Sequence, residues 1–106
     1  MYVQIVEFEL RGVSRRDYEA FCEELAPAFA EIPGLVAKLW IVDRESNRAG
    51  GVYTWVDRAA CEAYKAGELY RAAIENPALA NLRSRQFEVL AAPTRVTSDR
   101  PVAASA

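Results

Sequence analysis

The chain has 106 residues, of which 52% are hydrophobic and 26% charged, and its formal net charge at pH 7 is −2. These values predict one globular domain with a modest core. The absence of a basic cluster argues against nucleic-acid binding, and no apolar run approaches the roughly 20 residues that cross a bilayer. The N-terminal segment has neither a basic region nor an apolar signal core, so we expect no membrane association and a cytoplasmic location.

The hydrophobic pattern alternates between the strand and the helix periods along the chain. Ser14 fits a helix N-cap, and Pro27 is expected to kink the following helix or to split off its last turn. Gly67 is a possible interruption of the second long helix, and Pro77 fits the first turn of a short helix. The predicted elements are a strand over 2–10, a helix over 14–31, strands over 35–43 and 49–56, a helix over 58–74, a short helix over 77–82 and a strand over 84–90.

This order, β-α-β-β-α-β, predicts an α+β fold of the ferredoxin-like, split-βαβ type with one antiparallel sheet. Right-handed crossovers would place both long helices on the same face of that sheet. We assign residues 1–91 to this domain and expect 92–106, with two prolines and small polar residues, to be a C-terminal arm or a disordered tail. The pair Gly50-Gly51 in the third strand indicates a bulge or a close backbone approach.

Both faces of the predicted sheet carry large apolar side chains. The second strand puts Leu35, Ala37, Leu39 and Ile41 on one face and Val36, Trp40 and Val42 on the other. The helices of one chain can cover only one face, and an uncovered apolar face is larger than monomers usually tolerate. We therefore expect a homodimer that packs sheet against sheet.

The sequence contains no histidine and two cysteines, Cys22 and Cys61. Both cysteines fall on predicted helices, where a free thiol usually acts as a small buried hydrophobic group. The lack of histidine removes Ser-His and Cys-His nucleophile pairs and ordinary zinc sites from consideration. We expect no metal site and no cofactor.

Several short segments resemble the dimeric α+β-barrel superfamily that includes the antibiotic-biosynthesis monooxygenases, and in particular its YdhR-type monooxygenases. The resemblance covers about residues 2–91, and its most specific part is the Ala-Gly-Gly-aromatic hairpin. The segments are Leu25 to Pro27, Pro33-Gly34-Leu35, Lys38-Leu39-Trp40, Arg48 to Tyr53, Asp57 and Ala63-Tyr64.

This resemblance implies a homodimeric barrel with a pocket between the sheet and the helices of each subunit. Some members of the superfamily oxidise aromatic, quinol-like substrates with oxygen and without metal or flavin, and others degrade haem. Several use a Trp at the end of the third strand, which matches Trp55, and a His in the next helix, where this chain has Tyr64. The missing histidine departs from the haem-degrading pattern.

Four aromatic residues are the candidates for such a pocket: Trp40, Tyr53, Trp55 and Tyr64. Each offers a flat apolar body and one hydrogen-bond donor, although all four could instead be packing residues. Lys38 is the lone cation on an apolar strand. It either extends its amine to solvent at the sheet edge or is buried, where it could bind a phenolate or act as a base.

Two functions follow from these observations. The first is a cofactor-independent monooxygenase that acts on a small aromatic or quinol-like substrate, with Trp55 and Lys38 as catalytic residues and Trp40, Tyr53 and Tyr64 as substrate-binding residues. The second is a non-catalytic dimeric module that binds a small hydrophobic ligand in the same pocket.

Overall fold

The computed structural model describes residues 1–98 and contains one four-stranded antiparallel sheet with strand order β2-β3-β1-β4. The ferredoxin-like α+β fold predicted from the sequence is confirmed. No described helix is both long and apolar enough to cross a membrane. The elements are β1 (Tyr2–Leu10), α1 (Arg15–Ala30), β2 (Leu35–Asp43), β3 (Arg48–Trp55), α2 (Arg58–Lys65), α3 (Glu68–Glu75), β4 (Leu79–Glu88) and α4 (Ala91–Ser98).

The helix boundaries follow the capping residues. The Ser14 side chain accepts a hydrogen bond from the Asp17 amide at 3.0 Å and begins α1. This helix continues through Pro27 to Ala30, so its last turn is not split off. The predicted helix over 58–74 is divided at Gly67, which is the N-cap of α3, as the position of the glycine suggested.

The prediction of a short helix over 77–82 is wrong. β4 begins at Leu79, which pairs with Leu10 at the end of β1. Pairing with β1 satisfies the backbone of this segment, so a helical turn has no advantage there. The register shifts between Glu7 and Glu9, and Asn81 lies opposite this shift with a positive φ of 55°.

The C-terminal arm predicted over 92–106 begins as a helix, since α4 extends from Ala91 to Ser98. This helix contributes no buried residue. The rest of that prediction, over 99–106, lies outside the described residues.

The core lies on the face of the sheet that α1, α2 and α3 cover. Alternate residues of the two central strands point into it, including Val6 and Phe8 from β1 and Tyr53 and Trp55 from β3. The opposite face, which we call the outer face, carries Leu39, 65% exposed, in register with Val52 and Ile5.

One residue of β2 lies on the face opposite to the one predicted. A register shift between Leu35 and Ala37 breaks the alternation, and Leu35 packs against the helix-covered core instead of joining Leu39 and Ile41 on the outer face. The expectation that both sheet faces are apolar nevertheless holds, because Ile41 and Phe87 are also exposed.

Gly50 marks a close backbone approach between β3 and β1, one of the two possibilities that the glycine pair indicated. A Cβ atom at Gly50 would collide with the carbonyl group of Val6 on the neighbouring strand. The β1–β3 register continues without a shift at this point, so there is no bulge between these strands.

We expect Gly50→Ala to lower the free energy of unfolding by about 1–3 kcal/mol, because the new methyl group overpacks two central strands. Urea titration followed by circular dichroism would measure the loss. Gly67→Ala is the control, since its Cβ would lie 3.3 Å from the Tyr64 carbonyl oxygen and would need only a small adjustment. An equal or larger loss in the control would contradict this account of Gly50.

Candidate functional site

An apolar cavity of about 140 Å³ lies between the sheet and the helices. Four of the five residues predicted for the site line it: Lys38, Trp40, Tyr53 and Tyr64. A cavity of this size holds about one aromatic ring. The walls are mostly aromatic and aliphatic, so the few polar atoms that reach the cavity determine what it can do.

Lys38 brings the only ammonium group among the cavity-lining residues. Its Nζ lies 3.3 Å from the centroid of the Trp40 ring, 3.6 Å from that of Phe29 and 4.7 Å from that of Tyr53. Within residues 1–98, no carboxylate pairs with this nitrogen and no acceptor hydrogen-bonds to it. The side chain is therefore surrounded by ring faces and does not extend freely into solvent.

Burial lowers the pKa of Lys38 to about 7, because the ammonium form loses hydration that the cavity does not replace. The aromatic rings attract a cation and offset part of this loss. Close to neutral pH the amine therefore exists in both protonation states. Such a group can accept a proton from a substrate and return it.

Two tyrosine hydroxyl groups meet at the cavity. The Oη atoms of Tyr53 and Tyr64 lie 3.3 Å apart, so one phenol hydrogen-bonds to the other. Burial raises the pKa of Tyr53, and it raises that of Tyr64 to about 12. Both phenols therefore stay protonated near neutral pH, and the one whose O–H is not used within the pair can donate a hydrogen bond to an oxygen atom of a ligand.

Trp55 does not line the cavity but lies behind these tyrosines. It is fully buried, and its ring stacks on that of Tyr53 with an interplanar angle of 3° and a centroid separation of 5.9 Å. Its Nε1 donates a hydrogen bond to Oε1 of the buried Gln4 at 3.1 Å, and Gln4 Nε2 donates to Ser84 Oγ at 3.0 Å. The indole N–H is thus already satisfied by protein.

Several lining residues were not among the predicted site residues. Tyr18, Cys22 and Phe29 reach the cavity from α1, and Tyr70 reaches it from α3. The helical spacing of the α1 residues identified an inward face. This spacing could not show that the helices and the sheet leave a cavity between them at that face.

A surface groove of about 270 Å³ adjoins the cavity between α1 and β2. Tyr18, Cys22 and Trp40 line both the groove and the cavity, so these three side chains lie between the two spaces. Glu19 and Glu23 flank this groove, and Glu19 forms ion pairs with Arg15 at 3.8 Å and Arg44 at 3.7 Å.

No group of three or more metal-ligating side chains occurs within the described part of the chain. The cavity residues also offer little to a charged cofactor, because Lys38 is the single charged group among them. The polar side-chain groups of the cavity are therefore the Lys38 amine, the Cys22 thiol, the phenol groups and the amide of Asn76.

A sequence profile described as "Putative mono-oxygenase ydhR" matches residues 3–100. No curated protein matches the sequence at a significant level.

Several solved structures share the fold at low sequence identity. A protein of unknown function from Nitrosomonas europaea has a TM-score of 0.70 at 20% identity, over 86% of this chain and 90% of its own. SnoaB, a cofactor-independent oxygenase from Streptomyces nogalater, has a TM-score of 0.67 at 21% identity, over 84% and 92%. The heme-degrader MhuD from Mycobacterium tuberculosis, with two hemes bound in its active site, has a TM-score of 0.68 at 21% identity, over 85% and 96%.

The lowered pKa of Lys38 predicts a pH-dependent stability. In the unfolded chain a lysine keeps its proton up to about pH 10.4, whereas in the folded chain Lys38 loses it above about pH 7. Between these values the unfolded chain binds more protons, so the free energy of unfolding contributed by Lys38 rises with pH. The contribution of Lys38 to the free energy of unfolding increases by at most about 1.4 kcal/mol per pH unit.

Urea titrations between pH 6 and pH 10 would compare the natural chain with Lys38→Met, which keeps a similar volume without the charge. We expect the variant to be the more stable of the two near pH 6 and to lose this advantage as the pH rises. Lys65→Met is the control, because Lys65 donates to Gln86 Oε1 at 3.5 Å near the surface. A constant difference between Lys38→Met and the natural chain would contradict the lowered pKa.

Proposed function

The chain belongs to the YdhR mono-oxygenase family, and on that premise we propose that it is a cofactor-independent monooxygenase of a small aromatic or quinol-like substrate. The observation that carries the proposal is the amine of Lys38 inside an aromatic cavity that holds about one ring. A phenol fits such walls, and its acidic hydroxyl group is a partner for the amine.

The reaction balances without a bound redox group when the substrate is a phenol with a free para carbon. Lys38 takes the phenolic proton, and the phenolate gives one electron to O₂. The resulting superoxide and phenoxyl radical combine at the para carbon, and the Lys38 ammonium protonates the peroxide. Loss of water from this hydroperoxide leaves a quinone, so one phenol and one O₂ yield one quinone and one water.

The residues have separate roles in this proposal. Lys38 is the base, and Trp40 forms part of the wall against which the ring packs. Tyr53 and Tyr64 form a hydrogen-bonded pair, and the phenol whose O–H is not used within the pair donates to the oxygen that becomes negative during the reaction. Such a preorganised donor stabilises developing charge. Trp55 is a positioning residue, since it holds both tyrosines from behind, with ring centroids 5.9 and 5.3 Å away.

The proposal also includes a homodimer that buries the outer face. Leu39 and Phe87 are 65% and 50% exposed there; Leu39 is in register with Val52 and Ile5, and Phe87 is in register with Val3. Sheet-to-sheet packing of a second copy would remove this apolar surface from water. The Arg48–Glu7 ion pair, at 2.9 Å, lies at one side of the same face.

The alternative is a dimeric module that binds a small hydrophobic ligand without chemistry. Its support is the apolar character of the cavity, where the phenols have raised pKa values and the amine has no acidic partner among the described residues. An oxygen-uptake assay with phenols separates the two functions, because a binding module would bind phenols and consume no oxygen.

We expect the purified protein to consume oxygen with at least one member of a panel of phenols and hydroquinones, with or without added flavin. Lys38→Met should lower the turnover number by about 100-fold or more, which is the usual effect of removing a general base. Lys65→Met is the matched control and should retain the natural rate. Tight phenol binding with no oxygen uptake on the whole panel would favour the module.

We expect the natural chain to sediment as a dimer at micromolar concentration and Leu39→Arg to sediment as a folded monomer. Ile74→Arg is the control, since Ile74 is 54% exposed on α3 and away from the outer face. Analytical ultracentrifugation with circular dichroism would separate dissociation from unfolding. A monomeric natural chain at this concentration would contradict the sheet-to-sheet dimer.

A further inference from the structure

The two lysines of this chain have opposite environments. The Lys38 amine lies in the cavity against the rings of Trp40 and Phe29, at 3.3 and 3.6 Å from their centroids. Lys65, at the end of α2, donates a hydrogen bond to Gln86. An amine that lacks a carboxylate partner and is enclosed by ring faces is suited to a reaction at nitrogen as well as to proton transfer.

We propose that the cavity binds a one-ring aromatic aldehyde and that Lys38 captures its carbonyl carbon as an imine. The ring of the aldehyde would pack against the aromatic walls of the cavity, and its carbonyl carbon would lie next to the Lys38 amine. This carbonyl capture goes beyond the oxygenase reaction and does not depend on it, because it uses Lys38 as a nucleophile and requires no oxygen.

Imine formation needs only the Lys38 amine and the carbonyl group of the aldehyde. The Nζ lone pair forms a bond to the carbonyl carbon while the C=O π electrons move to oxygen, and a proton passes from nitrogen to that oxygen. The resulting carbinolamine loses its hydroxyl group with the remaining N–H proton as water, and C=N remains. Nothing is oxidised or reduced, and hydrolysis reverses the sequence.

The surroundings favour the neutral, reactive amine. The other titratable groups that line the cavity are one thiol, Cys22 on α1, and phenols from α1, β3, α2 and α3. None of these is a carboxylate that would hold the amine as an ammonium ion, and burial raises the pKa of the Cys22 thiol. The lowered pKa of Lys38 has the same consequence, and the apolar walls limit the water that hydrolyses an imine.

The test is reductive trapping of the full chain with benzaldehyde and sodium cyanoborohydride at pH 7 without oxygen, followed by peptide mass spectrometry. We expect the benzyl adduct on Lys38 to exceed that on Lys65 by at least about tenfold, since Lys38 lines the cavity that would bind the ring and Lys65 does not. Equal labelling of the two lysines, or no adduct on Lys38, would overturn the proposal.

Two further arms make the result specific to the cavity. An aldehyde on a pyrene ring system should label Lys65 as before but lose its preference for Lys38, because several fused rings exceed a cavity of about 140 Å³. Lys65→Met should retain the Lys38 adduct, because Lys65 does not line the cavity. Preferential labelling of Lys38 by the pyrene aldehyde would also overturn the proposal, since the reaction would then occur outside the cavity.

The outcome can be separated from that of the oxygenase proposal. Trapping at Lys38 without oxygen uptake on the phenol panel would support carbonyl capture alone. Oxygen uptake that depends on Lys38, with no adduct, would support a base whose nitrogen does not reach a carbonyl carbon.

Discussion

The stack of Tyr53 on Trp55, with the tilted ring of Tyr64 packed against both, joins the centre of the sheet to α2, and the site is built on it. Trp55 has no exposed surface, and its indole N–H is satisfied by the equally buried Gln4. An unpaired buried donor would cost about 1–3 kcal/mol, so the glutamine allows a tryptophan at this depth. The stack fixes the two tyrosines, whose hydroxyl groups meet 3.3 Å apart at the cavity.

Two opposing effects act on Lys38, which lies opposite this stack. The loss of hydration disfavours the ammonium form, whereas the faces of three aromatic rings attract it. Desolvation is the larger effect, since the pKa falls to about 7. The rings still matter, because their attraction for the ammonium form opposes a further fall of the pKa.

The two faces of the sheet differ in what covers them. The helices of the same chain cover the inner face and leave the cavity, while the outer face exposes Leu39 and Ile41. A homodimer would complete the outer face without touching the chemistry of the inner one. Substitutions on opposite faces of one strand, β2, would therefore separate the proposed assembly from the proposed catalysis.

The sequence alone determined the order of elements, the two-sided apolar sheet and the family. Alternation and helical spacing are local patterns, and the caps at Ser14 and Gly67 act within one turn. The same local reasoning failed at Leu79. The pair Asn76-Pro77 suggested a helix there, but Leu79 forms part of β4 because it pairs with Leu10 of β1. It also misplaced Leu35, because a register shift is a property of two strands together.

The tertiary structure alone decided which candidates share a site. Lys38, Trp40, Tyr53 and Tyr64 come from three elements and meet only when α1 and α2 pack on the sheet. Trp55 belongs to the same strand as Tyr53 and faces the same side, yet it lies in the core behind the cavity. Burial depends on the whole packed assembly, and no residue's neighbours along the chain specify whether it meets a ligand or another side chain.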